Sequence, residues 1–174
     1  LHNGFITVNE EKMSKSLGNF FLVKDILEHY SPDVLRFFVL STHYRSPLDF
    51  SDERLSEAER SLERLRTAVE NINYLDSMKS GAVSETTREI QKNIETAKES
   101  FYTAMDDDFN TALAIGIMFG VAKEINVYYN GVVNNKIAQD NQAYSAMREV
   151  YFMMADVSGI LVQERQGKID GNQE

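Results

Sequence analysis

The chain has 174 residues, 43% of them hydrophobic and 26% charged, with 18 Lys/Arg against 27 Asp/Glu for a net charge of −9. That composition describes a globular protein, long enough for one domain or for the tail of one domain and a second. The absence of cysteine excludes a disulfide framework and a thiol nucleophile, and the acidic balance argues against broad, non-specific nucleic-acid binding. No apolar run approaches the ~20 residues that span a bilayer, so no membrane partner is expected. The opening Leu1-His2-Asn3-Gly4 has neither an initiator Met nor the basic and apolar regions of a signal peptide, so the chain is expected to begin inside a larger, cytoplasmic protein. His2, His29 and His43 have no metal-ligand spacing, and no metal site is expected.

In chain order, Gly4-Phe5-Ile6-Thr7-Val8 reads as a strand. The polar stretch from Asn9 to Asn19 lacks any period and reads as a loop. Phe20 to Tyr30 reads as a short helix. A second helix begins at Ser31 as N-cap with Pro32 in its first turn, and Val34, Leu35, Phe38 and Val39 form its apolar face. Both prolines, Pro32 and Pro47, lie in residues 1–50, whose charge is close to balanced, whereas residues 51–174 hold none and carry nearly all the negative excess. That contrast places a domain boundary at 50/51.

Beyond it the sequence is a succession of helices. Ser51 starts the first, with Asp52 and Glu53 favourable to its N-terminus, and Leu55, Ala58, Leu62, Leu65, Val69 and Ile72 recur at helical spacing until Gly81. The second carries Ile90, Ile94, Ala97, Phe101 and Met105. The third carries Leu113, Ile117, Val121 and Tyr128 and ends near Gly131. The fourth carries Tyr144, Met147, Tyr151, Met154 and Ile160, with Gly159 near its end. Four such faces bury one another as an antiparallel bundle. The fold class is therefore mainly α: a short strand and loop with small helices, then a helical bundle. The polar residues from Gln163 to Glu174 read as a frayed tail.

The sharpest local feature is Lys12-Met13-Ser14-Lys15-Ser16, followed by Leu17-Gly18-Asn19. Two lysines three residues apart on a loop can close over a polyphosphate, each ammonium supplying a compact charge and three donors. Ser14 and Ser16 add hydroxyls, and Gly18 permits a turn that other residues resist. Such a loop stabilises negative charge on a leaving group electrostatically.

This string resembles the second signature of the class I aminoacyl-tRNA synthetases. Further segments resemble the cysteine enzymes of that family: His2-Asn3-Gly4-Phe5, Asn19-Phe20-Phe21, Asp33-Val34-Leu35-Arg36-Phe37-Phe38, His43-Tyr44-Arg45-Ser46-Pro47-Leu48 and Ala104-Met105-Asp106-Asp107-Asp108-Phe109-Asn110-Thr111. The likeness runs from residue 1 to about 120 and fades in the fourth helix. It implies ATP with Mg2+, cysteine and tRNA(Cys) as partners. Lys12 and Lys15 would be the catalytic lysines, and Lys12, Met13, Ser14, Lys15 and Ser16 the ATP-binding loop. A zinc ion is implied for the intact enzyme, with ligands outside this chain. Residues 1–50 would then be the loop-bearing tail of the catalytic domain and residues 51–174 a tRNA-docking bundle. The chain alone is expected to be inactive.

Several residues admit two readings. Asp106-Asp107-Asp108 could hold a divalent cation or cap the third bundle helix, with Asn110-Thr111 continuing the cap and Phe109 turned inward; capping is favoured. His43-Tyr44-Arg45-Ser46 suits RNA contact or a hinge. Arg36 is expected to pair with Asp33 at i,i+3. Arg54, Arg60, Arg64 and Arg66 form a basic cluster, and Glu57 and Glu63 beside Arg60 suggest salt-bridge lacing over RNA contact. Tyr44, Arg45, Arg60 and Arg64 are the candidates for tRNA contact that the resemblance implies. The Tyr128-Tyr129 and Tyr151-Phe152 pairs read as core. Two alternatives stand beside the tRNA enzyme: a ligase joining cysteine to an amino sugar in thiol biosynthesis, and a non-catalytic helical interaction module.

Overall fold

The computed structural model describes residues 2–78 and 85–161. The expected break at Gly81 and the polar tail lie outside these residues. Three short strands, β1 (Ile6–Val8), β2 (Glu11–Lys12) and β3 (Leu48–Phe50), form a sheet in the order β2-β1-β3. β1 and β2 are an antiparallel hairpin pairing Thr7 with Lys12 and Val8 with Glu11. β1 and β3 run parallel, pairing Ile6 with Leu48, Thr7 with Asp49 and Val8 with Phe50.

The hairpin corrects the reading of Asn9 to Asn19 as unbroken loop. Asn9 and Glu10 both adopt left-handed backbone, φ 50° and 67°, as a two-residue turn matched to strand twist requires. Asn accepts this conformation readily, whereas Glu10 is held in it by the bond its amide donates to the Asp49 carboxylate, 2.9 Å.

A parallel pair needs a long crossover. Here it contains α1 (Val23–Ile26) and α2 (Pro32–Leu40). α1 is a single turn with no side-chain cap, much shorter than the helix expected over Phe20 to Tyr30. α2 starts as expected, the Ser31 hydroxyl accepting from the Val34 amide and Pro32 sitting in the first turn. Val34, Phe37 and Phe38 are its buried residues, while Val39 is 48% exposed, so the inward face is rotated toward Phe37.

Four long helices follow: α3 (Asp52–Asp76), α4 (Glu85–Asp106), α5 (Thr111–Val133) and α6 (Asn141–Ser158). The Ser51 hydroxyl caps α3 by accepting from the Arg54 amide, 3.2 Å. α4 lies against α5 and α6, α3 against α5, and α2 against α3. Leu55, Ala58, Leu62, Leu65, Val69 and Ile72 of α3 are buried as their spacing requires, as are Ile90, Ile94 and Phe101 of α4 and Tyr144, Met147, Tyr151 and Met154 of α6. They share one core cluster with Phe37, Phe38 and Phe50, so bundle and sheet base are continuous. Buried Tyr151 donates its hydroxyl to the Leu65 carbonyl, 2.9 Å. Burial pushes that phenol well above its usual pKa, keeping it a donor.

α5 departs most from expectation. Leu113 is 51% exposed, and the buried stripe is Ala114, Ile115, Met118, Val121, Ala122, Ile125 and Tyr128. The helix passes Gly131 and ends at Val133, with Asn135 in left-handed backbone and the Gly131 carbonyl accepting from the amides of Lys136 and Ile137. A Cβ on Gly131 would meet Ile137 at 2.8 Å, so the missing side chain lets the returning chain close on the helix. By length and composition alone α5 is long and apolar enough to cross a membrane, where no such run was expected. Here it packs among α3, α4 and α6.

Replacing Leu65, fully buried on α3, by Ala is expected to cost about 2–5 kcal/mol in urea unfolding of the chain, whereas Leu113→Ala on the exposed face of α5 is expected to stay within about 0.5 kcal/mol.

Candidate functional site

The Lys12–Asn19 segment hangs from the hairpin. Lys12 is the last residue of β2, and its ammonium rests 4.7 Å above the Phe5 ring. The Met13 amide continues the ladder by donating to the Ile6 carbonyl, 3.1 Å, and its side chain packs partly against the core. Lys15 to Gly18 then form a turn closed by the Gly18 amide on the Lys15 carbonyl, 3.2 Å, with Gly18 at φ 66°. The Ser14 hydroxyl accepts from the Leu17 amide, 3.2 Å, and lies 3.1 Å from the Ser16 hydroxyl.

Asn19 closes the neck of this loop. Its amide oxygen accepts from the Ser14 amide, 2.9 Å, and its amide nitrogen donates to the Lys12 carbonyl, 3.2 Å. One side chain thus ties both flanks of the neck, leaving Lys15 and Ser16 exposed at the tip. The arrangement offers one ammonium outward, a second on a weak aromatic rest, and hydroxyls between them. Sequence reasoning had Asn19 only as part of a string; its splinting role has no periodic signal.

The hairpin itself is held by Asp49 on β3. Its carboxylate accepts from the Thr7 hydroxyl, 2.8 Å, as well as from the Glu10 amide. The Glu10 amide, then the Thr7 hydroxyl, hold this carboxyl below its ordinary value.

The four candidates for RNA contact fall into two places. Tyr44 and Arg45 meet at Asp108, at the corner between α4 and α5. The Tyr44 hydroxyl donates to Asp108 at 2.6 Å, and Arg45 lies 2.9 Å from the same carboxylate through Nε. Its bond to the Tyr44 hydroxyl, then the charge of Asp108, raise the Arg45 pKa further. Asp108 therefore does not cap α5; Asn110 does, accepting from the Leu113 amide at 3.1 Å. Nor does Phe109 turn inward: it is 55% exposed, because its left-handed backbone (φ 53°) points it away from the bundle. With Gly4, Ile6, Val39 and Leu48 it lines an apolar groove of about 360 Å³. Among the described residues no three His, Asp or Glu side chains are grouped to hold a metal ion.

Arg60 and Arg64 are exposed on α3. Arg64 lies 5.0 Å from the Phe119 ring and donates to the Ser61 hydroxyl. The expected lacing occurs, but between Arg54 and Glu57 (3.6 Å) and between Arg66 and Glu63 (2.6 Å), not at Arg60. Beside them a groove of about 400 Å³ is lined by Ser41, Thr42, Arg54, Ser61 and Phe119. Arg36 does not pair with Asp33. Arg36 donates to the Gly159 carbonyl at the C-terminal end of α6, and Asp33 accepts from the Leu161 amide, 3.0 Å, just past that end.

Residues 1–60 match the family model described as the class I (C) tRNA synthetase catalytic domain, and residues 100–163 match the DALR domain. The chain is 42% identical over 173 residues to the cysteine–tRNA ligase of Desulforamulus reducens, covering 98% of this chain and 35% of that protein. It is 46% identical to that of Pelotomaculum thermopropionicum, covering 98% of the chain and 34% of the relative. With the enzyme of Geobacter metallireducens it shares 52% identity over 127 residues, 72% of the chain and 26% of the relative. The chain thus spans about a third of the length of these relatives. Among solved structures, a ternary complex of Agrobacterium radiobacter LeuRS with tRNA and LeuAMS superposes with a TM-score of 0.72 at 22% identity, covering 98% of this chain and 22% of that one. The fold is that of class I tRNA synthetases. By sequence the chain is similar to the cysteine–tRNA ligases, and that likeness continues through α6, beyond residue 120, where it was expected to fade.

Removing the Asn19 splint is expected to speed hydrogen exchange of the Ser14 amide about five-fold in Asn19→Ala, the equivalent of a ~1 kcal/mol hydrogen bond. The depressed Asp49 carboxyl gives a pH dependence of definite sign. Its hold on the Glu10 amide is fully present above the unfolded carboxyl value of ~3.9 and is lost as pH falls through the lower folded value. Protection of that amide is therefore expected to be flat from neutral pH to about 5 and to fall only in stronger acid.

Proposed function

We propose that this chain supplies the ATP-gripping loop and the tRNA-docking helices of a cytoplasmic cysteine–tRNA ligase. Lys15 carries the proposal: an exposed ammonium at the tip of a loop whose neck Asn19 closes. In this reading residues 1–50 form the loop-bearing end of the catalytic domain and residues 51–174 the tRNA-side bundle.

In the intact enzyme the cysteine carboxylate attacks the α-phosphorus of Mg2+-bound ATP. A bond forms between that oxygen and phosphorus, the bond to the bridging oxygen breaks, and pyrophosphate leaves with the electron pair. The adenylate then passes its aminoacyl group to a hydroxyl of the terminal ribose of tRNA(Cys), releasing AMP. Lys15 and Lys12 meet the charge that grows on the departing pyrophosphate, with Met13, Ser14 and Ser16 completing the loop around the phosphates. Lys12 has first to leave the Phe5 ring, a contact worth only about 0.5–1 kcal/mol at an exposed site and easily replaced by phosphate. Among the described residues no group of His, Asp and Glu side chains fits a zinc site.

Arg60 and Arg64 are exposed for a phosphate backbone beside the groove that Phe119 lines, the Arg64 guanidinium resting over that ring. Arg45 is 65% exposed beyond its bond to Asp108, so Tyr44 and Arg45 offer a second place for contact with RNA. The DALR match and the ligase names of the relatives support tRNA over an amino sugar as acceptor. The 174 residues alone hold the loop without the rest of a catalytic domain and are expected to be inactive.

In the full-length protein, Lys15→Ala is expected to lower kcat for cysteine-dependent ATP–pyrophosphate exchange by ~10²-fold or more, the scale of losing one preorganised electrostatic donor. Unchanged exchange would reduce the loop to a connector, and exchange driven by another amino acid would remove the cysteine assignment.

A further inference from the structure

Of the three consecutive aspartates at the α4–α5 corner, Asp106 and Asp107 are exposed, whereas Asp108 is engaged. Its carboxylate takes the Tyr44 hydroxyl at 2.6 Å and Arg45 at 2.9 Å through Nε and 3.1 Å through Nη2, with the His43 ring nitrogen at 4.0 Å. This is a non-local meeting: Tyr44 and Asp108 are 64 residues apart in sequence. Asn110 already caps α5, so Asp108 is not spent on the helix end. The corner holds two successive non-glycine residues in left-handed backbone, Asp108 at φ 56° and Phe109 at φ 53°. Such a conformation persists only where the surroundings over-determine it. Its effect is to aim the carboxylate out of the bundle, at the segment from His43 to Ser46.

That segment is seated on the loop-bearing sheet. The Tyr44 carbonyl accepts from the Gly4 amide at 2.6 Å, and a Cβ on Gly4 would fall 2.2 Å from the Ser46 carbonyl oxygen, so only glycine permits the approach. The chain then runs from Gly4 into β1, and β1 pairs with the strand that ends in Lys12. Hydrogen bonds linked by short covalent stretches lead from the corner of the tRNA-side helices, through Tyr44 and Gly4, to the root of the ATP loop.

We propose that Asp108 is a positioning residue that fixes the tRNA-side helices relative to the ATP-loop sheet, so that a tRNA docked on the bundle meets the adenylate in register. The proposal rests on the function argued above. Asp108 acts through Tyr44 and Arg45 and touches neither substrate. With Asp108 35% and Arg45 65% exposed, the tie adds little to global stability, so its loss separates positioning from folding.

The test uses the full-length protein with Asp108→Ala and Asp108→Asn, assayed for exchange without tRNA, for tRNA(Cys) charging and for thermal unfolding. The expected result for Asp108→Ala is exchange within about two-fold of the parent and kcat/KM for tRNA lower by about ten-fold, the usual scale of coupling between two sites. Asp108→Asn keeps an acceptor for Tyr44 and is expected to fall between the two. Charging that is unaffected, or charging and exchange that decline together with the melting temperature, would overturn the proposal. A parent protein without cysteine-dependent exchange would instead sink the ligase reading. The tie is then judged by hydrogen exchange at Gly4 and along β1, which speeds in Asp108→Ala if the path is real and stays unchanged if it is not.

Discussion

The parallel pairing of β1 with β3 is the constraint on which the candidate site depends. β3 is three residues long, and its alternation divides two tasks. Phe50 points into the core, where Phe38 meets it edge-on with ring centroids 5.9 Å apart and Phe21 lies at 5.0 Å. Asp49 takes up the Thr7 hydroxyl and the Glu10 amide and so holds the hairpin. The residue after Phe50 is Ser51, the cap of α3. A single short strand therefore joins the first long bundle helix, the buried aromatic cluster and the turn that places Lys12. Without it the lysines would lie on an unanchored connector.

Order is distributed unevenly around this joint. The bundle has large buried side chains on every long helix, a side-chain bond from Asn71 on α3 to Asn126 on α5, and one from Gln139 in the α5–α6 connection to the Leu75 carbonyl of α3, both 2.8 Å. The loop has only short-range bonds around an exposed tip. Closing elements are drawn from the low-stability end of a protein because they must move without unfolding what supports them. Here the division falls at the neck set by Asn19: the root at Lys12 and Met13 belongs to the sheet, and Lys15 and Ser16 stand exposed at the tip. The same logic applies at the other end of the chain, where Arg36 and Asp33 on α2 bind the backbone at Gly159 and Leu161 and tie the last helix to the sheet's crossover.

What could be read from sequence follows the range of the signal. The α3 and α6 seams were legible because an apolar repeat sustained over 25 and 18 residues has one helical solution. The Ser31-Pro32 and Ser51 starts were legible because caps are local chemistry. The inward face of α5 was only partly legible, with Val121 and Tyr128 buried as expected and Leu113 not, because the helix is apolar on most faces and its repeat could not show which side meets α3, α4 and α6. The Asn9-Glu10 turn was missed because it lacks the glycine that marks such turns and depends on Asp49, 39 residues away from Glu10. The loop string itself was legible as a motif, yet Asn19 as its splint, Asp108 as the partner of Tyr44 and Arg36 as the grip on α6 were not. Each is a pairing that only the folded chain brings together.

In the proposed function the loop rooted on this sheet closes on ATP from a fixed neck. The direct test is hydrogen exchange across residues 11–20 of the full-length protein, with and without cysteine and Mg2+-ATP. Loop closure predicts new protection confined to Ser14 through Gly18, with Met13 unchanged because its amide is already held by the Ile6 carbonyl. Exchange that is the same in both conditions at Ser14 through Gly18 would contradict it.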